Sequence, residues 1–326
     1  MKLIEITNAL ETFAPLALQE NYDNAGLLVG NHNQEISAAL LCLDVTEAVL
    51  QEAITSGCNL IIAHHPLIFS GIKKLTGSNY VERILLKAIK NDIAIYAAHT
   101  NLDNVRAGVN AKIASRLELN NTSVLLPKQD QLMKLFTFVP VGKAEHVRQA
   151  LFDAGAGSIG NYDACSFNSD GTGTFRGNEA SNAYIGEKGK MHTEAETKIE
   201  VIFPFWLRNQ VITALQKNHP YEEVAFDIVA LKNPWNRTGA GIAGDLASPM
   251  DSTFFLKYLK EKMQVTIIRH TKLHKDVISK VAVCGGAGSF LLKNAIDAGA
   301  DVFITADFKY HQFFDAEDRV IIADIG

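Results

Sequence analysis

From about residue 38 onward, short runs of β-branched and aliphatic residues alternate with stretches of helical periodicity, a rhythm that restricts the chain to parallel βα units. AALLCLDV reads as a strand. Thr46 can cap the following helix EAVLQEAITS, whose Val49, Leu50, Ala53 and Ile54 share a face, and Gly57 can stop it. NLIIAHH is the next strand, YVERILLKAIK a helix and IAIYAAH a third strand. One continuous helix is then expected over NVRAGVNAKIASRLEL, because Val105, Val109 and Ile113 recur every four residues.

The rhythm changes after the polar PKQDQ. A strand LMKLFTFVPV, a helix KAEHVRQALFDAG, two strands flanking a glycine-rich loop at SDGTGTFRGNEASN, a helix WLRNQVITALQK and a strand EEVAFDIVAL give a β-α-β-β-α-β order. Parallel logic resumes with the helix STFFLKYLKEKM, VTIIRH, VISKVAVC, SFLLKNAIDAG, DVFITA, KYHQFFDA and RVIIADIG. The expected fold class is therefore α/β. One domain is built from residues 1–126 and 236–326, and a ferredoxin-like α+β insert occupies 130–233.

Composition narrows the function. A net charge of −5 supplies no basic field for a nucleic acid, and no apolar run reaches the roughly 20 residues that span a bilayer. The start, MKLIEITNALETFAP, contains Glu5 and Glu11 and reads as an amphipathic helix rather than a signal peptide. Cys42, Cys58, Cys165 and Cys284 fit neither a zinc ribbon nor a disulfide framework, so a reducing, cytoplasmic setting is expected and any metal must be held by His, Asp and Glu.

In open α/β sheets ligands sit beyond the carboxyl ends of the strands. Those ends carry Asp44, His64-His65, His99 with Asp103, Asp307 and Asp324. The two adjacent imidazoles follow a buried strand and precede Pro66, which holds His65 extended. Successive side chains of extended backbone diverge, so each histidine suits one of two neighbouring ions, with Asp103 as the carboxylate between them. The competing reading is a hydrogen-bonded histidine pair at a strand end. His99 reads as a packed or supporting histidine near the metal or substrate, with direct ligation as the alternative. Asp307 and His311, four apart, would share a face if ADFKYH is helical, either as ligands or as an N-cap and an unrelated surface histidine.

Other motifs carry less. GAGIAG at 239–244 has no strand leading into it and no helix after it, which argues against a dinucleotide site. VAVCGGAGSF runs from strand through glycines to helix, as an anion site or a plain tight turn would. HPYEEV at 219–224 is accounted for as a helix end and strand edge, and neither a G-x-S-x-G elbow nor a Walker lysine motif is present.

AHHPLIFSGIKKL and YAAHTNLDN, together with NYDNAGLLVG, VAVCGGAGS and DVFITADFKYH in that order, strongly resemble the Nif-three-like dinuclear-metal-centre family, also labelled GTP cyclohydrolase I type 2 homologs. The central segment is similar to the PII/CutA-like insert of longer bacterial members. The resemblance implies two divalent ions (zinc, iron, manganese or nickel) bound by His64, His65 and Asp103, with His99, Asp307 and His311 in supporting or substrate positions. It implies a toroidal homohexamer acting on a small molecule such as a nucleotide. It also implies a further His and Glu ligand after a strand like VIIADIG; the sequence ends at Gly326, so the expectation is either a truncated C-terminus or a polypeptide that binds metal incompletely. Two functions follow as expectations. One is a metal-dependent hydrolase; the other is a non-catalytic metal-binding assembly whose insert senses a small molecule.

Overall fold

Three short parallel strands, paired without a slip, carry the chemistry-bearing ends identified above. The computed structural model describes residues 1–326, which fall into two compact units, Met1–Pro127 with Asn236–Gly326, and Lys128–Trp235. The first unit opens with helix α1 (Leu3–Phe13) and strand β1 (Gly26–Val29). β2 (Ala39–Cys42), α2 (Glu47–Ser56), β3 (Leu60–Ala63), α3 (Tyr80–Lys90) and β4 (Ala94–Ala97) then form βα units. The sheet order is β1-β4-β3-β2, with only β1 antiparallel. Thr46 accepts a hydrogen bond from Val49 N at 3.2 Å and Gly57 takes φ +71° at the other end of α2, as the capping pattern predicts. Strand periodicity puts Ile61, Ala63 and Ile95 against α2 and α3, while Leu60, Ala94 and Tyr96 meet Leu3 of α1. Both faces of β3 and β4 are covered, which is why these two strands are apolar throughout, while the edge strand β2 leaves Ala39 and Leu41 exposed.

The single helix expected after β4 is two. α4 (Thr100–Asn104) ends at Val105, which turns extended and bridges to Thr238, and α5 (Val109–Arg116) begins after Gly108. Arg106 N donates to Arg237 O at 3.0 Å, a tertiary bond that overrides the four-residue periodicity. A Cβ on Gly108 would lie 1.9 Å from Leu102 O, so the corner requires glycine.

β5 (Asn120–Pro127) follows, and the chain enters the insert. There β6 (Leu132–Pro140), α6 (Ala144–Asp153), β7 (Ser166–Phe175), β8 (His192–Pro204), α7 (Arg208–Asn218) and β9 (Phe226–Leu231) form an antiparallel sheet of order β7-β8-β6-β9, the ferredoxin-like arrangement. Leu135, Val139, Ile199, Val201 and Phe203 pack on Val147, Leu151, Val211 and Leu215 of the two helices. SDGTGTF, expected as loop, is strand: Asp170 pairs with Thr197 and Gly173 with Glu194 in a long hairpin.

On return, β10 (Gly239–Asp251) runs antiparallel to β5 and to β12. α8 (Ser252–Met263), the two-residue β11 (Arg269–His270), β12 (Val277–Ala287), α9 (Leu292–Asp297), β13 (Val302–Ala306) and β14 (Ile321–Asp324) complete a second sheet of order β11-β14-β13-β12-β10-β5. GAGIAG is thus the start of a central strand. A Cβ on Gly239 would sit 2.1 Å from Leu126 O, so close strand approach accounts for its glycine. Phe255 and Leu259 of α8 cover one face of this sheet and Leu292 and Ala295 of α9 the other. The α/β unit therefore holds two sheets.

Candidate metal centre

Because Cys42, Ala63 and Ala97 are paired level across β2, β3 and β4, the residues just beyond them emerge together. The ladder continues past the strands: His64 N and His65 N donate to Cys42 O and Leu43 O at 3.1 and 2.9 Å, and Ala98 N to Ala63 O at 2.9 Å. Three imidazoles result in mutual contact, with ring centroids of His64–His65, His64–His99 and His65–His99 at 4.9, 5.3 and 5.5 Å. One ring nitrogen from each lies within 4.8 Å of the others.

Each ring is fixed by its Nδ1. His64 Nδ1 meets Ala98 O at 2.8 Å, beyond β4; His65 Nδ1 meets Asp44 Oδ1 at 2.8 Å, beyond β2; His99 Nδ1 meets Asp23 Oδ1 at 2.7 Å. An oxygen acceptor places the proton on Nδ1 and leaves the Nε2 lone pair free, the arrangement that ligating histidines use. His64 and His65 are anchored on opposite neighbouring strands, so their planes tilt apart by 48°.

Asp103 comes from α4, where its N–H donates to His99 O at 3.1 Å, and its Oδ1 lies 3.8 Å from His64 Nε2. Burial drives its carboxyl up to about 6; His99 opposes this, Asp23 adds to it and His65 opposes again. Burial also pushes the His64 imidazole below its ordinary value, against the Ala98 carbonyl that favours the charged ring. His64 is accordingly a neutral donor near pH 7. Burial would raise the Asp23 carboxyl, but hydrogen bonds from His99, Thr100 and Asn24 together hold it below the usual range. This carboxylate, whose side chain is fully buried, also accepts from Thr100 N at 3.0 Å and from the Thr100 hydroxyl.

The cluster borders a cavity of about 810 Å³ between the two sheets of the α/β unit, reached also by Cys284, Gly285, Phe290 and Asp307. Asn110, 3% exposed, joins its two sides: Nδ2 donates to Asp103 O at 3.0 Å and Oδ1 accepts from Gly285 N at 2.9 Å. Burial, with the Asp103 charge beside it, pushes the Cys284 thiol up to about 12, so in the metal-free protein it stays protonated.

Asp307 and His311 behave differently from the helical expectation. The helical turn runs Tyr310–Ala316 with Lys309 as its N-cap, so the two share no face; Asp307 lies exposed at φ +58° in the cavity lining, and His311 is exposed and outside it. Asp324 is a buried structural group, accepting from Phe308 N at 3.0 Å and paired with Arg269. Asp23 and Asn110 were not singled out in the sequence. Asp23 lies in NYDNAGLLVG, whose polar tripeptide before a strand was the available signal.

A whole-chain comparison decides the family, since residues 1–326 match the one described as Duf34/NIF3 (NGG1p interacting factor 3). The chain belongs to the Duf34/NIF3 family. A GTP cyclohydrolase 1 type 2 homolog of Halalkalibacterium halodurans is 42% identical over 323 residues, spanning 98% of this chain and 87% of the relative. The homolog of the same name in Bacillus subtilis is 40% identical over 313 residues, 96% of this chain and 84% of the relative. Among solved structures, a Bacillus cereus protein related to NIF3 superposes with a TM-score of 0.88 at 42% identity, covering 100% of this chain and 88% of that one. The fold is thus shared with a NIF3-related structure. No helix is long and apolar enough to cross a membrane.

Proposed function

We propose that this NIF3 protein is a metal-dependent hydrolase in which His64, His65 and Asp103 hold two divalent cations. The supporting observation is the common orientation of three imidazoles, each tied through Nδ1 to an oxygen and each leaving Nε2 free beside an 810 Å³ cavity. Neutral imidazole and carboxylate suit zinc, iron, manganese or nickel. Bound there, such cations supply Lewis-acid polarisation of a carbonyl or phosphoryl oxygen.

The chain's own groups do the rest. Asp44, Ala98 and Asp23 hold the three rings in place, Asp103 gives up its proton to serve as carboxylate, and the His99–Asp23 pair presents Nε2 as proton acceptor for an attacking water. A cavity of this size admits a nucleotide-sized molecule. The relatives' name, GTP cyclohydrolase 1 type 2 homolog, makes hydrolytic opening of a guanine imidazole ring the first reaction to examine. In this reading the protein works in the cytoplasm as a homohexamer; four free cysteines fit a reducing compartment.

The test is incubation of manganese- or zinc-loaded protein with GTP and with simple phosphoesters, beside a His64→Ala/His65→Ala variant. Metal-dependent turnover lost in the variant supports the reading; equal turnover in both, or none with any substrate, contradicts it.

A further inference from the structure

Two sequence segments that the hydrolase reading leaves unused, SDGTGTF and HPYEEV, meet in the insert around a second cavity of about 700 Å³. β7 brings Gly173 and Phe175, β8 brings Glu196, and the turn after α7 brings Tyr221 and Glu222. Glu196 is 8% exposed. Its Oε1 accepts from the Tyr221 hydroxyl at 2.7 Å, while Oε2 has no donor and no cation pairs with either oxygen. Lys198, the nearest cation along the strand, is engaged by Glu200 at 2.7 Å and lies over the Phe136 ring.

Gly173 makes room for this carboxylate, since a Cβ there would lie 2.1 Å from Glu196 Oε2. The aromatic wall is fixed as carefully. Tyr221 N donates to His219 Nδ1 at 3.1 Å, so His219 carries its proton on Nε2 and donates it to Phe138 O at 3.0 Å. Phe175 and Tyr184 stand 6.1 and 6.3 Å from the Tyr221 ring, and Glu222 secures the loop bearing Tyr184 by accepting from Asn182 N at 2.8 Å.

A buried carboxylate without a counter-ion is costly, and a cationic ligand that supplies both the missing charge and hydrogen-bond donors relieves that cost. Aromatic faces attract the same charge through their quadrupoles. We propose that this cavity binds a small organic cation, an amine or guanidinium compound, with its charge on Glu196 and its carbon skeleton against Phe175, Tyr184 and Tyr221. The site is independent of the hydrolase reading, because none of these residues borders the histidine cavity.

Isothermal titration calorimetry of the whole protein with agmatine, butylamine and inorganic phosphate tests it. Binding of agmatine or butylamine is expected, weakened at least tenfold by Glu196→Gln and by Phe175→Ala, with phosphate silent. Tyr184→Ala removes a 54%-exposed ring and carries the same prediction should Glu196→Gln fail to fold. Absence of binding by both cations, preference for phosphate through the exposed Arg176, or undiminished affinity in the folded variants would overturn the proposal.

Discussion

His99 and Asp23 are separated by 76 positions in the chain, yet His99 Nδ1 stands 2.7 Å from Asp23 Oδ1, and the Asp23 side chain is fully buried. The contact sets the tautomer of His99 and turns its Nε2 toward the other imidazoles.

Asp23→Asn removes the anion that orients His99 while keeping its shape. Loss of that anion misplaces the proton acceptor and is expected to lower metal-dependent turnover at least about tenfold while leaving metal affinity unchanged. Turnover at saturating cation, beside competition titration with a chromogenic chelator, measures it, and unchanged turnover would remove Asp23 from the site.

The raised Asp103 pKa predicts a pH response. Its folded value of about 6 exceeds the roughly 4 of an unfolded Asp, so metal-free protein gains stability from the bound proton below about pH 4 and loses that gain as pH rises through about 6. The lost contribution is on the order of 2–3 kcal/mol. Burial of His64 acts in the opposite direction, so urea denaturation of wild type is compared with Asp103→Asn, in which only the Asp103 contribution is absent. Metal affinity, which requires the deprotonated carboxyl, rises over the same window.

Asn110 is the hydrogen-bonded tie between α4 and the β12 turn. Asn110→Leu leaves the Gly285 N–H and the Asp103 carbonyl without partners and costs about 1–3 kcal/mol. Asn110→Asp keeps the acceptor for Gly285 N but sets a buried carboxylate oxygen against the Asp103 carbonyl, and is expected to lower the urea midpoint at least as far as the leucine variant.

His311 provides the contrasting case. It is exposed and lies outside the cavity, so His311→Ala leaves metal content unchanged, whereas His64→Ala reduces it in elemental analysis.

Capping and strand alternation made β2 through β4 legible, because Thr46, Gly57 and the apolar runs act locally. The rim of polar residues followed from their strand ends. Tertiary choices were not legible: Val105 leaves its helix to pair with Thr238, and no local periodicity signals a partner that distant in sequence. The glycines of β7 suggested a loop, since the reason for Gly173, a carboxylate at close range, exists only in the folded chain. Asp23 was hidden for the same reason. Its partners His99 and Thr100 lie beyond two βα units.

Anomalous scattering at the zinc or manganese edge, from crystals grown with that cation, tests the central claim most directly. The account predicts peaks at about 2.0–2.2 Å from ring nitrogens of His64 and His65 and a carboxylate oxygen of Asp103. Peaks elsewhere, or none at this cluster while cation is bound on other parts of the surface, would contradict it.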